Sequence, residues 1–149
     1  NEIIYVIEER AAHRPPLVSG VGVRLPSHLT ATGRAILSAL PRNQVRALYP
    51  NRQAFTDRTG IGPKSPKELE ATLAETQRTG FAEEHGDVTP GFDSYAVAVR
   101  DYNVFPIAGL ALTFVSGSLR PEQERSLKTK LRLAGTELSR RLGAVGSLT

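Results

Sequence analysis

The chain has 149 residues, of which 40% are hydrophobic and 23% charged, with a formal net charge of +4. This length and composition suit one globular domain with its own core, and the basic residues are too dispersed to favour a nucleic-acid-binding arm. The lack of Cys excludes disulfides, zinc–thiolate sites and cysteine nucleophiles. No apolar run reaches the length of a membrane span, so we expect a cytoplasmic protein with no membrane partner.

The first half of the chain predicts two strands and then helices. Residues 3–9 and 17–24 are rich in β-branched side chains and read as strands. Thr30 is placed to cap a helix over residues 31–40, and a second short helix is expected over residues 41–49.

The clearest local signal is a helix predicted over residues 66–79. Ser65 and Glu68 form a capping box around Pro66, a residue that suits the first helical position. Gly80 is placed to end this helix in a left-handed conformation.

The second half of the chain predicts a sheet and a closing helix. A short strand is expected over residues 81–83, and residues 94–100 and 105–115 form strands joined by a hairpin turn. A final helix is predicted over residues 121–142, with its apolar face at Leu127, Leu131, Ala134, Leu138 and Leu142. Because a hairpin cannot be parallel, the fold class is α+β with an antiparallel sheet.

Several carboxylates and imidazoles are candidates for a metal site. They are Glu83, Glu84, His85 and Asp87 in one segment, with His13 and His28 elsewhere. The segment lacks a helical spacing of ligands, so a solvated loop is favoured over a metal site.

Evidence for catalysis is thin. Ser94, His28 and Asp93 could be drawn as a triad, but no Ser lies in a G-x-S-x-G motif. Phosphate-binding and dinucleotide-binding glycine motifs are also missing from the sequence.

The start of the first predicted helix is a candidate anion site. Thr30, Ala31, Thr32 and Gly33 are small, so an anion could approach the unpaired amides and the positive end of the helix dipole. A capped helix that packs tightly on the sheet explains the same residues, and the sequence alone favours that explanation.

Five segments, taken in order, carry a resemblance to a known family. They read LPSHLTATGRAILSALP, a capped helix ending in RTGFAEEHGD, PGFDSYAVAVRDYN, FPIAGLALTFVSG and a closing helix ending in LSRRLGA. Together they cover nearly the whole chain, which resembles the effector-binding domain of IclR-type bacterial transcriptional regulators.

The resemblance implies a GAF/profilin-like fold, in which a curved antiparallel sheet flanked by helices carries a small-molecule pocket. It also implies an N-terminal winged helix-turn-helix domain that binds operator DNA. The chain begins at Asn1 and contains no Met, so we expect the DNA-binding domain to be missing from it.

The resemblance also assigns effector-binding positions. They lie at the start of the first helix, just after the capped helix, in the loop before the next strand and on the long strand. The matching residues are Ala31, Thr32, Glu84, Phe92, Ser94, Ala111 and Thr113. Ala111 cannot hydrogen-bond through its side chain and Phe92 is bulky, which predicts a more apolar cavity, suited to a larger or aromatic acid.

The sequence therefore predicts a ligand-sensing domain that is not an enzyme and needs no cofactor or metal. A small organic acid would favour one arrangement of the domain, or of its homodimer or homotetramer, and so control DNA binding. One alternative is a small hydrolase or metal-dependent enzyme that uses His28, Glu84 and His85. Another is a dimerisation module whose pocket is filled by its own side chains.

Overall fold

The structure is a computed structural model that describes residues 1–12, 17 and 20–144. Its elements are β1 (Glu2–Ile4), β2 (Arg24–Pro26), α1 (Ala31–Ala39), α2 (Arg42–Leu48), a short 3-10 helix (Arg52–Ala54), α3 (Pro66–Thr79), β3 (Ala82–His85), β4 (Phe92–Arg100), β5 (Pro106–Val115) and α4 (Pro121–Arg141). Strands β1 and β2 form one antiparallel pair, and the other three form an antiparallel sheet in the order β3-β4-β5. The predicted α+β class, with an antiparallel sheet flanked by helices, is confirmed.

The predicted caps of α1 and α3 are confirmed. The Thr30 side chain accepts a hydrogen bond from the Gly33 amide at 3.0 Å, and the Ser65 hydroxyl accepts one from the Glu68 amide at 3.3 Å. Gly80 ends α3 with a φ of 79°, in the left-handed region that glycine adopts at low cost.

The two predicted N-terminal strands are much shorter than expected. Of residues 3–9, only those up to Ile4 lie in β1, and β2 begins at Arg24, where the second predicted strand ends. Val18 and Ser19 of that second strand lie outside the described residues. Val6 and Ile7 are 71% and 85% exposed, because β-branched side chains favour a strand only where a partner strand is available to pair with them.

The two faces of the β3-β4-β5 sheet differ in side-chain size. Tyr95 and Val97 of β4 pack on the face that carries Leu131 of α4. Ala96 packs on the other face, with Ala31 and Ala35 of α1. The small face allows α1 to lie close to the sheet, and this sets where the candidate site can form.

The buried face of α4 was predicted incorrectly. Leu131 is buried as expected, but Leu138 and Leu142 are 39% and 40% exposed. Gly135 and Ser139 are buried instead, since a β-carbon on Gly135 would lie 2.5 Å from Cγ2 of Val97. The helix approaches the sheet through its small residues, and an apolar-period count overlooks them. No helix within the described residues has the length and apolarity needed to cross a membrane.

Gly33 fixes the position of α1 against the preceding turn. A β-carbon at this position would lie 2.2 Å from the Ser27 carbonyl oxygen and 2.4 Å from the Ser27 Cα. Because these are backbone atoms, the helix could not relax without moving away from the turn.

We expect Gly33→Ala to lower the free energy of unfolding by about 1–3 kcal/mol, although alanine's helix propensity offsets about 1 kcal/mol. Gly135→Ala is the matched comparison and should cost less, because there the new methyl meets a side chain rather than backbone. Urea denaturation followed by circular dichroism measures both. Equal losses would show that the contact with Ser27 does not fix the helix.

Candidate functional site

A cavity of about 30 Å³ lies between the start of α1, the end of β3 and strands β4 and β5. The structure brings together around it every residue that the family resemblance assigned to effector binding. These are Ala31, Thr32, Glu84, Phe92, Ser94, Ala111 and Thr113. That they bind an effector stays a prediction.

The first turn of α1 contributes two backbone donors to the cavity wall. The amide of Gly33 is taken by the Thr30 cap. The amides of Ala31 and Thr32 have no intrahelical acceptor, as expected for the first helical positions, and no hydrogen bond from either occurs within the described residues. The helix dipole adds a partial positive charge at the same end. The start of α1 thus borders a hollow on one side, while Ala31 packs on the sheet on the other.

A polar row crosses the sheet beneath this helix end. Glu84 of β3 lies opposite Ser94 of β4, which lies opposite Thr113 of β5. The hydroxyl oxygens of Ser94 and Thr113 are 3.0 Å apart. The row therefore supplies one carboxyl and two hydroxyl groups to one side of the cavity.

The next row along the sheet is apolar. Ala82, Ala96 and Ala111 lie opposite one another across the three strands. Helix α1 lies over this row, and a β-carbon on Gly109 would come within 2.7 Å of Cγ2 of Thr32. Along this face of the sheet, one row consists of alanines and the next consists of polar residues. Helix α1 therefore covers the alanine row, and the cavity forms at the polar row.

Glu84 is buried in a site with few neutralising groups. Its side chain is 3% exposed, and its Oε1 accepts a hydrogen bond from the Val88 amide at 3.0 Å. Burial raises the pKa of the Glu84 carboxyl above its ordinary value, while the bonds from Val88 and Ser94 oppose that rise. An anion in the cavity would bind next to a carboxyl whose charged form is disfavoured.

Arg34 ties the helix to the loop that completes the cavity. Its guanidinium pairs with the Asp87 carboxylate, and both side chains are about 95% buried. It also donates to the carbonyl oxygens of His28 at 2.8 Å and Glu83 at 2.7 Å. Because Asp87 immediately precedes Val88, this ion pair holds the cavity loop against α1.

The acidic segment was predicted to be a solvated loop, and this was wrong for two of its members. Glu84 and Asp87 are each 3% exposed, because one faces the cavity and the other pairs with Arg34. His85 is exposed and lies 3.4 Å from carboxylate oxygens of Glu83 and Asp93. No group of three or more potential metal ligands occurs among the described residues.

The residues of the enzyme alternative are not brought together. His28 is 1% exposed, and its ring packs edge-on against Tyr49 and Phe55 at centroid distances of 5.5 and 5.1 Å. Its Nε2 lies 3.0 Å from the Thr56 carbonyl oxygen. Of the candidate catalytic groups, Glu84 and Ser94 line the cavity and His28 does not. His13 lies outside the described residues.

Four lining residues were missed by sequence reasoning. They are Tyr5, Leu17, Val88 and Thr89. Thr30 was predicted both as a helix cap and as part of the candidate anion site. Tyr5 lay in a predicted strand, and the chain carries no local sign that this segment folds over the start of α1. Burial raises the pKa of its phenol, which also interacts with the Thr32 hydroxyl.

Comparison with known proteins agrees with the resemblance to IclR-type regulators. The family profile described as Bacterial transcriptional regulator IclR C-terminal matches residues 1–140. The chain is 32% identical over 130 residues to the glycerol operon regulatory protein of Streptomyces coelicolor, covering 83% of this chain and 48% of that protein. It is 30% identical over 125 residues to the HTH-type transcriptional regulator XynR of Escherichia coli, covering 84% and 49%.

The fold comparison gives the same result. The crystal structure of the Agrobacterium tumefaciens repressor BlcR superimposes with a TM-score of 0.86 at 29% identity, covering 97% of this chain and 57% of that one. The chain therefore belongs to the IclR family, as a C-terminal domain. Family membership confirms the prediction of a regulatory domain rather than an enzyme. The chain spans about half the length of these curated relatives.

We expect Asp87→Asn to lower the free energy of unfolding by about 3–5 kcal/mol, because it leaves the Arg34 charge buried without a partner. The matched control is Glu75→Gln, which removes the same charge from the exposed pair with Arg78. It should change stability little, since solvent screens that pair. Chemical denaturation measures both, and a similar small effect for the two variants would refute the anchoring role of Arg34.

Glu84→Gln gives a pH-dependent prediction. The folded state binds a proton at Glu84 more tightly than the unfolded chain does, so wild-type stability falls as pH rises from the ordinary pKa of 4.5 through the raised pKa. The amide cannot ionise and retains an oxygen for the Val88 amide. The variant should therefore gain stability relative to wild type between pH 4 and pH 7, as followed by denaturation at a series of pH values. A stability difference between variant and wild type that does not change with pH would contradict the burial of the Glu84 charge.

Proposed function

We propose that this domain senses a small organic acid, whose carboxylate binds the amides of Ala31 and Thr32. The supporting observation is that two unpartnered amides at a helix N-terminus open onto a cavity. Such amides and the helix dipole attract anions. A cap alone would account for Thr30 and Gly33, but not for a hollow next to the two free donors.

The polar row orients the rest of the ligand. Ser94 and Thr113 can each donate to an oxygen of the acid or accept from its hydroxyl group. The Glu84 carboxyl would repel a carboxylate if charged, so the ligand's anionic end is directed to α1. A ligand hydroxyl could then donate to Glu84, or protonated Glu84 could donate to a ligand oxygen.

The volume of the cavity favours a small ligand. A water molecule needs about 10–15 Å³ of such space, so about 30 Å³ holds only a few non-hydrogen atoms. We therefore favour a short-chain acid over the larger or aromatic acid that Phe92 and Ala111 suggested. An aromatic acid would require Tyr5 or Leu17 to be displaced from the cavity wall.

The output of the domain depends on partners outside it. We propose that the whole protein carries a winged helix-turn-helix domain, binds operator DNA through it, and works in the cytoplasm as a homodimer or homotetramer. The name of one relative, an HTH-type transcriptional regulator, supports the DNA-binding part of this proposal. The acid would act by binding one arrangement of the assembly more tightly than another.

The test is thermal melting of the domain with a panel of short-chain, hydroxylated and aromatic carboxylates. A ligand at a hundredfold excess over its dissociation constant stabilises the folded state by about 2.7 kcal/mol. We expect at least one short-chain acid to raise the melting temperature. If no carboxylate changes the melting temperature, the proposed function is wrong.

Ala31→Pro tests the placement of the carboxylate, because it removes one donor and suits the first helical position. Thr30 is already extended, with φ −94° and ψ 142°, as a residue before proline should be. Helices α3 and α4 also begin with proline. The variant should fold and lose most of the response to the acid.

The matched control is Arg42→Pro at the first position of α2, which does not border the cavity. It should retain the response. Thr32→Asp, which places a negative charge at the anion site, should abolish it. An undiminished response in Ala31→Pro and Thr32→Asp would show that the carboxylate binds elsewhere.

A further inference from the structure

A second, larger cavity lies at the other end of α1. It is a groove of about 570 Å³ between the C-terminal parts of α1 and α3, the middle of β4 and helix α4, and none of its lining residues lines the first cavity. We call it the edge groove. Nothing in the proposed function uses it.

The edge groove exists because β3 is shorter than β4. Strand β3 pairs only with Asp93–Ala96 of β4, and the chain before Ala82 turns away into α3. Among the described residues, residues 97–100 of β4 therefore pair with β5 on one side and have no strand on the other. An open strand edge presents main-chain donors and acceptors that can pair with another chain.

The direction of one hydrogen bond shows which groups face the groove. The Arg100 amide points away from β5 and donates to the Ser139 hydroxyl at 3.0 Å. The register of β4 is irregular between Val99 and Arg100, but it is regular from Phe92 to Val99, and the Phe92 carbonyl oxygen accepts from the Gly86 amide on the β3 side. Because main-chain groups alternate between the two edges of a strand, both the N–H and the C=O of Ala98 also point to this edge. Ser139 closes one end of the open run, and Ala98 remains available.

The side chains around the open edge leave room for an extended chain. Ala35, Ala39, Ala98 and Gly135 line the edge groove from the helices and the strand. A strand rises about 3.3 Å per residue, so the open run of β4 would pair with a segment of about four residues.

The charged residues that line the edge groove are all basic. Arg78, Arg100 and Arg132 line it, of which Arg78 is paired with Glu75. No acidic residue lines it among the described residues. The Arg132 guanidinium stacks 4.8 Å from the Phe81 ring centroid, and an Nη1 of Arg100 donates to the Val104 carbonyl oxygen. In the part of the chain that the structure describes, neither Arg100 nor Arg132 forms an ion pair with a carboxylate. Both are held in place and free to receive an anionic partner.

We propose that the edge groove binds an extended acidic peptide segment, which pairs with the open edge of β4 in the place that a longer β3 would occupy. The main chain of the peptide exchanges hydrogen bonds with Ala98, and its Asp or Glu side chains reach Arg100 and Arg132. The edge supplies affinity without regard to sequence, and the arginines select acidic segments.

The experiment is selection of a random heptapeptide display library on the folded domain. Counter-selection uses Thr136→Trp, which fills the edge groove from an exposed position on α4. We expect enriched peptides to contain Asp or Glu. Failure to enrich any sequence, or enrichment of peptides that bind Thr136→Trp equally well, would overturn the proposal.

Synthetic copies of the enriched peptides are then titrated by fluorescence anisotropy. Arg132→Glu should weaken binding at least about tenfold, as expected when an attractive charge contact becomes repulsive. Arg125→Glu makes the same change on α4 outside the groove and should alter the affinity less than about twofold. Equal affinities for these two variants would refute the role of the arginines.

Methylation of each peptide nitrogen in turn tests the strand pairing. At least one methylated peptide should lose binding, because its amide can no longer donate to the Ala98 carbonyl oxygen. If every methylated peptide binds like the parent, the segment does not pair with β4. Ala31→Pro should bind the peptide as wild type does, which separates this groove from the acid site.

Discussion

The buried ion pair of Arg34 and Asp87 is the interaction on which the candidate site depends. Two charges inside a protein are tolerated only when each is paired and hydrogen-bonded, and here Arg34 also reaches the carbonyl oxygens of His28 and Glu83. A β-carbon on Gly62 would lie 2.5 Å from the Asp87 carboxylate, so only glycine lets the loop between the 3-10 helix and α3 cover the pair. One arginine of α1 thus fixes the helix, the end of β3 and the cavity loop relative to one another.

The small face of the sheet explains where the candidate site and the edge groove lie. Alanines and Gly109 bring α1 close to the sheet over its central rows. Toward the start of the helix these residues give way to the row of Glu84, Ser94 and Thr113, and a polar hollow forms there. Toward the end of the helix β3 has already ended, so the edge of β4 is uncovered. Both cavities thus lie beside the small residues that bring α1 close to the sheet. The first forms where polar residues replace the alanines, and the second forms where β3 ends.

Sequence reasoning succeeded where a signal is local. The capping residues Thr30 and Ser65 specify α1 and α3 because their hydrogen bonds close within a few residues. The lining residues came from family resemblance, not from spacing. What failed depends on distant partners. The burial of Asp87 requires Arg34, which lies 53 positions earlier in the chain, and the buried face of α4 requires Val97 beneath Gly135. Apolar periodicity indicates which side chains prefer burial. It does not indicate where the backbone of a helix lies close to another part of the chain.

The packing of α1 also limits how a ligand can change the domain. Gly33 rests on the Ser27 backbone and Thr32 rests on Gly109, with no room for a β-carbon at either glycine. At interior packing density such contacts leave no slack, so α1 cannot slide along the sheet to admit a ligand. The polar row is equally fixed, because it is part of the strand ladder. Tyr5 and Leu17 are the lining residues that lie outside the α1–sheet unit and its anchored loop. Any enlargement of the cavity would therefore come from their side, and under the proposed function a bound acid would exert its differential affinity through that wall.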